Sequence, residues 1–245
     1  MRTLIIPDIH QQIEHVDELL ERESGNYDRV TFLGDYFDSY DDSTSIIRTA
    51  NWLKDKIENY PDWTLLLGNH DCQYLYDPSK HACSGFQRYY RDEVYDILSN
   101  FRFSKFKLYE KLGTYYLTHG GIYIGLLSNS YHTSFDKWIK ESVENCFDAL
   151  IANDNHFLLY ASRYRGGFSN NPGFTWCDWN ELIPIDGINQ IVGHTRNTGP
   201  VRIKRTPKST NYCIDGGCTL AAIHDDSMVN SDDEVTIIDW MKHHD

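Results

Sequence analysis

The sequence predicts an α/β fold. Three observations carry that expectation: short apolar runs rich in β-branched and aromatic residues, intervening segments with helical spacing, and a length of 245 residues, enough to bury a full core without staples. Leu4-Ile5-Ile6 is the first strand. Ile13, Val16, Leu19 and Leu20 then recur at helical intervals with polar and acidic residues between them, and Gly25 can stop that helix. A strand is expected at 30–33. The second helix starts at Ser43 or Ser45, both suitable N-caps, and runs through Ile46, Ile47, Ala50, Trp52, Leu53 and Ile57 to Pro61. Strands at 63–67 and 115–118 follow, with helical stretches at 86–98 and 135–152. Gln190-Ile191-Val192, Tyr212-Cys213-Ile214 and residues 235–238 are the remaining strands. Helices between the first strands imply crossover connections, and in such sheets ligands collect beyond the carboxyl ends of the strands. No repeat, low-complexity segment or boundary signal interrupts the chain, so residues 1–245 are expected to form a single domain.

Composition narrows the function. Thirty-six acidic residues against 23 Lys and Arg give a formal charge of −13, which repels nucleic-acid backbones and anionic membranes at long range. A nucleic-acid partner is therefore not expected. No apolar run reaches the 18 residues of a membrane helix, and the N-terminal apolar run breaks at Pro7, too soon for a signal peptide. The six cysteines contain no C-x-x-C pair and read as reduced thiols. A cytoplasmic location without membrane contact is the expectation.

The strand ends carry the chemistry. In chain order they read Asp8-Ile9-His10, Gly34-Asp35-Tyr36-Phe37-Asp38, Gly68-Asn69-His70-Asp71, His119-Gly120-Gly121 and Gly193-His194-Thr195. A carboxylate and an imidazole two residues apart on extended backbone point to the same side, so Asp8 and His10 can chelate one cation. Asp35 has two oxygens and can bridge that cation to a second. Asn69, His119 and His194 would complete the second site with an amide oxygen and two imidazoles.

The set D-x-H, G-D-x-x-D, G-N-H-D, H-G-G and G-H-T, in this order, resembles the calcineurin-like metallophosphoesterases. H-G-G with a single-histidine G-H-T is similar to its phosphoprotein-phosphatase branch, which includes bacterial and phage members. Ile214-Asp215-Gly216-Gly217 is similar to the segment that follows G-H-T there, and the resemblance spans residues 4 to 220. It implies a four-layer α/β/β/α sandwich of two mixed sheets flanked by helices. It also implies metal site one at Asp8, His10 and Asp35 and site two at Asp35, Asn69, His119 and His194, with Asn69 also facing the substrate. His70 would be the general acid and Asp38 the carboxylate that orients it. The implied reaction is hydrolysis of phosphate monoesters, as in phosphoserine/threonine protein phosphatases, by in-line attack of a metal-bridging hydroxide. Nucleotide or dinucleoside polyphosphate hydrolysis on the same site is the alternative, and a non-catalytic partner-binding protein the rival from another class.

Chemistry supports these roles. Two divalent cations about 3.5–4 Å apart can activate a water and clamp a phosphoryl group, while a histidine hands a proton to the departing oxygen. Two carboxylates do not neutralise two such cations even with a hydroxide between them, so the centre attracts a phosphate despite the chain's negative charge. Carboxylate, amide and imidazole ligands without thiolate suit Mn²⁺, Fe, Zn²⁺ or Mg²⁺, with Mn²⁺ the expected ion.

Departures and bland readings complete the expectations. Ser39 stands where many relatives carry a phosphate-holding arginine, so Arg163 or Arg165 should supply the fork, Arg163 being preferred. Arg196 replaces a further histidine that often feeds site one. His15, His81, His132, His156 and His224 read as surface or satisfied histidines, and His243 and His244 as a solvated tail. The acidic stretch between Asp225 and Glu234 reads as a hairpin or loop rather than an EF-hand. Phe168, Phe174, Trp176 and Trp179 are expected to rim a substrate cleft.

Overall fold

The computed structural model describes residues 1–39, 46–127, 134–231 and 234–239. β1 (Arg2–Ile6) and β2 (Arg29–Phe32) run parallel across α1 (Ile13–Arg22), which buries Ile13, Val16, Leu19 and Leu20, the face its spacing predicts. α2 (Ile46–Asn59) buries Ile46, Thr49, Ala50, Leu53 and Ile57 and returns the chain to β3 (Thr64–Leu66), parallel to β2. Its expected caps, Ser43 and Ser45, lie outside the described residues. α3 (Asn69–Leu75), α4 (Pro78–His81) and α5 (Arg91–Leu98) come next, and β4 (Phe106–Lys107) pairs with β3. α5 is shorter than the predicted 86–98 stretch because a 3₁₀ turn at Arg88–Tyr90 precedes it.

β5 (Glu110–Leu112) and β6 (Tyr115–Leu117) form a hairpin. α6 (Phe135–Ile151) starts at Ser134, whose hydroxyl accepts from Lys137 N at 3.2 Å. β7 (Asn189–Val192), β8 (Arg202–Thr206), β9 (Ser209–Cys213), β10 (Leu220–Asp225) and β11 (Val235–Asp239) complete the chain. Strands β11-β10-β1-β2-β3-β4 form one mixed sheet and β5-β6-β7-β9-β8 the other. The acidic stretch is a β10–β11 hairpin, as expected, with Asp232 and Asp233 outside the described residues.

Side-chain alternation sorts the strand residues into two apolar layers. Leu4, Ile6, Val30, Phe32 and Leu65 pack against α1, α2 and α5. Ile5, Leu33 and Leu66 point the other way and meet Leu117, Ile191 and Tyr212 of the second sheet. The two sheets are therefore packed face to face. Between them Glu110, 8% exposed, accepts from Arg29 Nη1 at 2.8 Å, Thr31 Oγ1 at 2.5 Å and Thr64 Oγ1 at 3.1 Å, so its buried charge is satisfied. The outer face of the second sheet is covered partly by helix, where Phe135 of α6 meets Tyr116 at 4.8 Å, and partly by irregular chain carrying Cys177, Trp179 and Leu182. The carboxyl ends of β1, β2 and β3 meet those of β6 and β7 at one edge of the sandwich.

Candidate metal centre

Two loops build the floor of that edge. The loop after β1 is laced to the loop after β2: Ile9 N and His10 N donate to Asp35 O at 3.2 and 3.0 Å, and Gln11 N to Tyr36 O at 2.9 Å. Left-handed backbone at non-glycine residues concentrates here, with His10 at φ +40, Gln11 at +68, Asp35 at +54, Asp38 at +64 and His194 at +64. Each such residue costs on the order of 1–3 kcal/mol, and strain of this kind collects where function fixes a side chain. Gly34, at φ +108, lets the β2 loop pass Gly68; a Cβ there would lie 2.4 Å from Gly68 N.

Asp8 and Asp35 are each 2% exposed and His119 is 0%. His10 Nδ1 lies 2.9 Å from Phe37 O, and His119 Nδ1 lies 3.0 Å from Leu33 O. A carbonyl only accepts, so both Nδ1 atoms carry the hydrogen and both Nε2 lone pairs face the centre. His119 Nε2 then lies 3.2 Å from each of three atoms: Asn69 Oδ1, Asp35 Oδ2 and His194 Nδ1. The two oxygens and the His119 Nε2 lone pair repel one another at that distance unless a cation or proton sits among them. Asp35 also stands 3.9 Å from His10 Nε2 through Oδ2. Asp8, His10 and Asp35 form one group with ligand atoms all within 4.8 Å of one another, and Asp35, His119 and His194 a second. Asp35 is common to both.

The electrostatics express the same surplus of acceptors. Burial, Asp215 and Asp35 drive the Asp8 carboxyl well above its usual range, with His119 opposing. Burial lowers His119, but Asp35 and Asp8 outweigh it and bring it up to about 9. A proton on His119 here stands in for a cation. Burial, then His119 and Arg165, hold His194 well below its usual value. Burial alone would raise Asp35, but His119 and His70 pull it far below the carboxylate range.

His70 and Asp38 meet at one side of this centre, with Nδ1 2.8 Å from Asp38 Oδ2. Burial depresses His70, yet Asp35 and the Asp38 bond lift it to about 12. Asp71, the fourth residue of G-N-H-D, had no role assigned from sequence. It is 0% exposed, and its carboxylate accepts from Asp35 N and Tyr36 N at 2.8 Å and Gly68 N at 2.7 Å. It fixes the loop that presents Asp35. Asp215 is 3% exposed and lines the same cavity as Asp8 and His10.

That cavity holds about 330 Å³, and Ser39, His70, Arg165, Trp176 and Arg196 are among its walls. The expectation favouring Arg163 is not met by position. Arg163 and Arg165 both lie on a short 3₁₀ turn, but only Arg165 lines the cavity, with Nη2 2.7 Å from Asp178 Oδ2. The turn of about 120° per residue in 3₁₀ geometry aims residues two apart in different directions, and it is the second arginine that meets the site. The aromatic rim is also corrected. Trp176 borders the cavity with its ring 5.8 Å from His194, but Phe174 and Trp179 are core residues and Phe168 is 99% exposed. Phe168 borders instead an adjoining cavity of about 750 Å³. His15 is exposed, His156 caps a 3₁₀ turn and His224 is bonded to Glu234, in line with their bland reading, while His132, His243 and His244 lie outside the described residues.

The family model for calcineurin-like phosphoesterases matches residues 1–197. The chain belongs to this family. Among solved structures, this calcineurin-like phosphoesterase is similar to a protein serine/threonine phosphatase from Saccharomyces cerevisiae with similarity to human phosphatase PP5. The match covers 97% of this chain and 78% of that one at 14% identity and TM-score 0.52. It is also similar to a candidate diadenosine tetraphosphatase (97% and 93%, 14% identity, TM-score 0.48) and to a metallophosphoesterase from Sphaerobacter thermophilus (98% and 87%, 14% identity, TM-score 0.42). The first of these matches shows the shared fold. No curated protein matches the chain significantly. Among the described residues of this phosphoesterase no helix is long and apolar enough to cross a membrane.

Proposed function

We propose that residues 1–245 form one metallophosphoesterase domain that hydrolyses phosphate monoesters at a pair of divalent cations, Mn²⁺ being the expected ion. Asp8, His10 and Asp35 would hold one cation, and Asp35, Asn69, His119 and His194 the other. The observation that supports the reading is the convergence of Asn69 Oδ1, His194 Nδ1 and Asp35 Oδ2 on His119 Nε2, each 3.2 Å from it, a set of amide, imidazole and carboxylate atoms of the kind that bind divalent cations. Bound there, the cations supply an activated water and neutralise the phosphoryl oxygens.

The remaining steps belong to side chains. Arg165 faces the cavity and offers a planar fork to phosphate oxygens. His70, held by Asp38, gives its Nε2 proton to the leaving oxygen. Phosphoserine or phosphothreonine in a polypeptide is the substrate class proposed first. A nucleotide is the second reading, favoured by the half-buried Trp176 ring at the cavity wall, which a base could stack on.

The test is His70→Asn. The variant should bind two metals per chain by elemental analysis and lose about a hundredfold or more in kcat on an alkyl phosphate. Unchanged turnover removes His70 from the mechanism, and absence of metal after Mn²⁺ supplementation of the wild type removes the binuclear reading. A panel of phosphopeptide, mononucleotide and dinucleoside polyphosphate then separates the substrate classes.

A further inference from the structure

Asp38 receives more donors than the orientation of one histidine requires. Besides the His70 contact, its Oδ2 accepts from the Gln73 amide and its Oδ1 from the Tyr74 hydroxyl. Gln73 and Tyr74 are 0% exposed and Asp38 is 1% exposed. They lie behind His70, not in the cavity wall.

The direction of these bonds is fixed from outside the cluster. Cys83 N donates to Gln73 Oε1 at 2.9 Å, so the amide oxygen faces Cys83 and the NH₂ must face Asp38. Gln87 N donates to Tyr74 Oη at 3.0 Å, which leaves the phenol proton for Asp38. With donors on both oxygens, Asp38 is an acceptor-only carboxylate. Its bond to His70 must therefore use the Nδ1 hydrogen, which turns Nε2 toward the cavity. Asp38 itself sits at φ +64, a conformation its loop does not favour, and the outside donors oppose its relaxation.

One short helix supplies His70 and both side chains that clamp Asp38. α3 has 7 residues, all of them buried, opening with Asn69 and His70 and carrying Gln73 and Tyr74 one turn later on the same side. Rings on both flanks hold Tyr74, with Phe37 at 5.0 Å and Phe86 at 5.2 Å.

We propose that Gln73 and Tyr74 are positioning residues that clamp Asp38 so that His70 delivers its proton along one fixed line, and that the backbone at Cys83 and Gln87 sets the clamp. This rests on the reading of His70 as general acid. In the step concerned the P–O bond to the leaving group breaks and that oxygen takes the His70 Nε2 proton. The attacking water contributes the hydroxyl that replaces the leaving group, and the proton it sheds restores His70.

Gln73→Met and Tyr74→Phe, alone and in a His70→Asn background, test it with two substrates. One is p-nitrophenyl phosphate, whose leaving group departs without a proton, and the other an alkyl phosphate, whose leaving group needs one. Each single change should lower kcat on the alkyl phosphate by about tenfold with KM unchanged, and alter p-nitrophenyl phosphate turnover by no more than about twofold. In the His70→Asn background neither change should cost anything more, because the group they position is gone. Equal losses on the two substrates, or the same loss with and without His70, would overturn the clamp. If His70→Asn itself leaves alkyl phosphate turnover intact, the general-acid reading falls instead, and the two failures are thereby told apart. Should Gln73→Met not fold, Tyr74→Phe removes one donor with its ring packing kept, and its result decides by the same criteria.

Discussion

Replacing Gly68 with alanine tests whether Asp35 must stand where the structure puts it. Gly68 has φ −95° and ψ 174°, values any residue adopts, so backbone strain does not oppose the change. In open space the substitution would stabilise the fold by about 0.4–1 kcal/mol through the unfolded chain. The space is not open. The added Cβ would lie 2.0 Å from Asp35 Oδ1 and 2.4 Å from Asp35 N, where ordinary contact begins at 3.4 Å. Asp35 is not a flexible end that can swing aside: Oδ1 accepts from His70 N at 2.9 Å, Oδ2 meets His119 Nε2 at 3.2 Å, and its own N is tied to Asp71 at 2.8 Å.

The carboxylate must therefore retreat by roughly 1 Å or more, several times the tolerance of about ±0.2 Å in a metal–ligand bond. Losing a charged hydrogen bond costs about 1.5–3 kcal/mol and overpacking about 1–3 kcal/mol. After the unfolded-state gain, the expected net loss is about 2–5 kcal/mol, a drop of roughly 5–15 °C in Tm for a chain of this size. Thermal unfolding by circular dichroism, with metal content measured on the same samples, reads both effects. A variant that melts within a degree of wild type and keeps its metals refutes the placement of Asp35 and, with it, the bridging role proposed for it.

Asp71→Asn should cost about 2–4 kcal/mol in urea unfolding, because an amide must turn its NH₂ against at least one of the three backbone N–H groups that Asp71 now accepts; a loss under 0.5 kcal/mol would contradict this. Metal removal should destabilise the chain increasingly as pH rises. Burial and the neighbouring Asp35 lift Asp71 to about 7 in the metal-free fold, so the fold holds a proton that the unfolded chain releases near 3.8 and stability falls between those values; equal effects of EDTA at pH 5 and pH 8 would count against it. His81 provides a control outside the candidate ligand set. Burial lowers it to about 4, partly offset by Asp77, so the unfolded chain takes up a proton below pH 6.5 that the fold refuses until about pH 4. Stability should fall through that window, and His81→Gln should flatten the fall; parallel Tm-versus-pH curves for the two proteins would refute it.

Sequence patterning reveals the candidate ligands more readily than the structure that braces them. Strand ends are legible because Leu4-Ile5-Ile6 and residues 64–67 are buried on both faces, and a polar residue after such a run points to a cap, a turn or a ligand. α3 is illegible for the opposite reason. All seven of its residues are buried, so it has no solvent face and no 3.6-residue alternation to betray a helix, and Gln73 and Tyr74 look like interior filler. β8 reads Arg202-Ile-Lys-Arg-Thr206 because it is an edge strand exposed at alternate positions, where apolar content is low. β10 escapes notice because Ala221 and Ala222 carry little strand signal, their burial between β1 and β11 being decided by pairing, not propensity.

What makes the centre persist is the division of labour between its two sheets. One sheet brings Asp8, Asp35 and Asn69, the other His119 and His194, and the contacts that join them run through backbone: His119 Nδ1 to Leu33 O, and Asp8 accepting His194 N at 3.0 Å through both oxygens. A side chain tied to backbone of the opposite sheet cannot move without parting the sheets, and parting them exposes Ile5, Leu33, Leu66, Leu117 and Ile191 to water. Removing a buried residue of that size costs about 2–5 kcal/mol, so the inter-sheet core holds a larger energy than the strain at the left-handed residues can release. The candidate ligands are thus held together by the fold as a whole, so a cation would complete this site rather than create it.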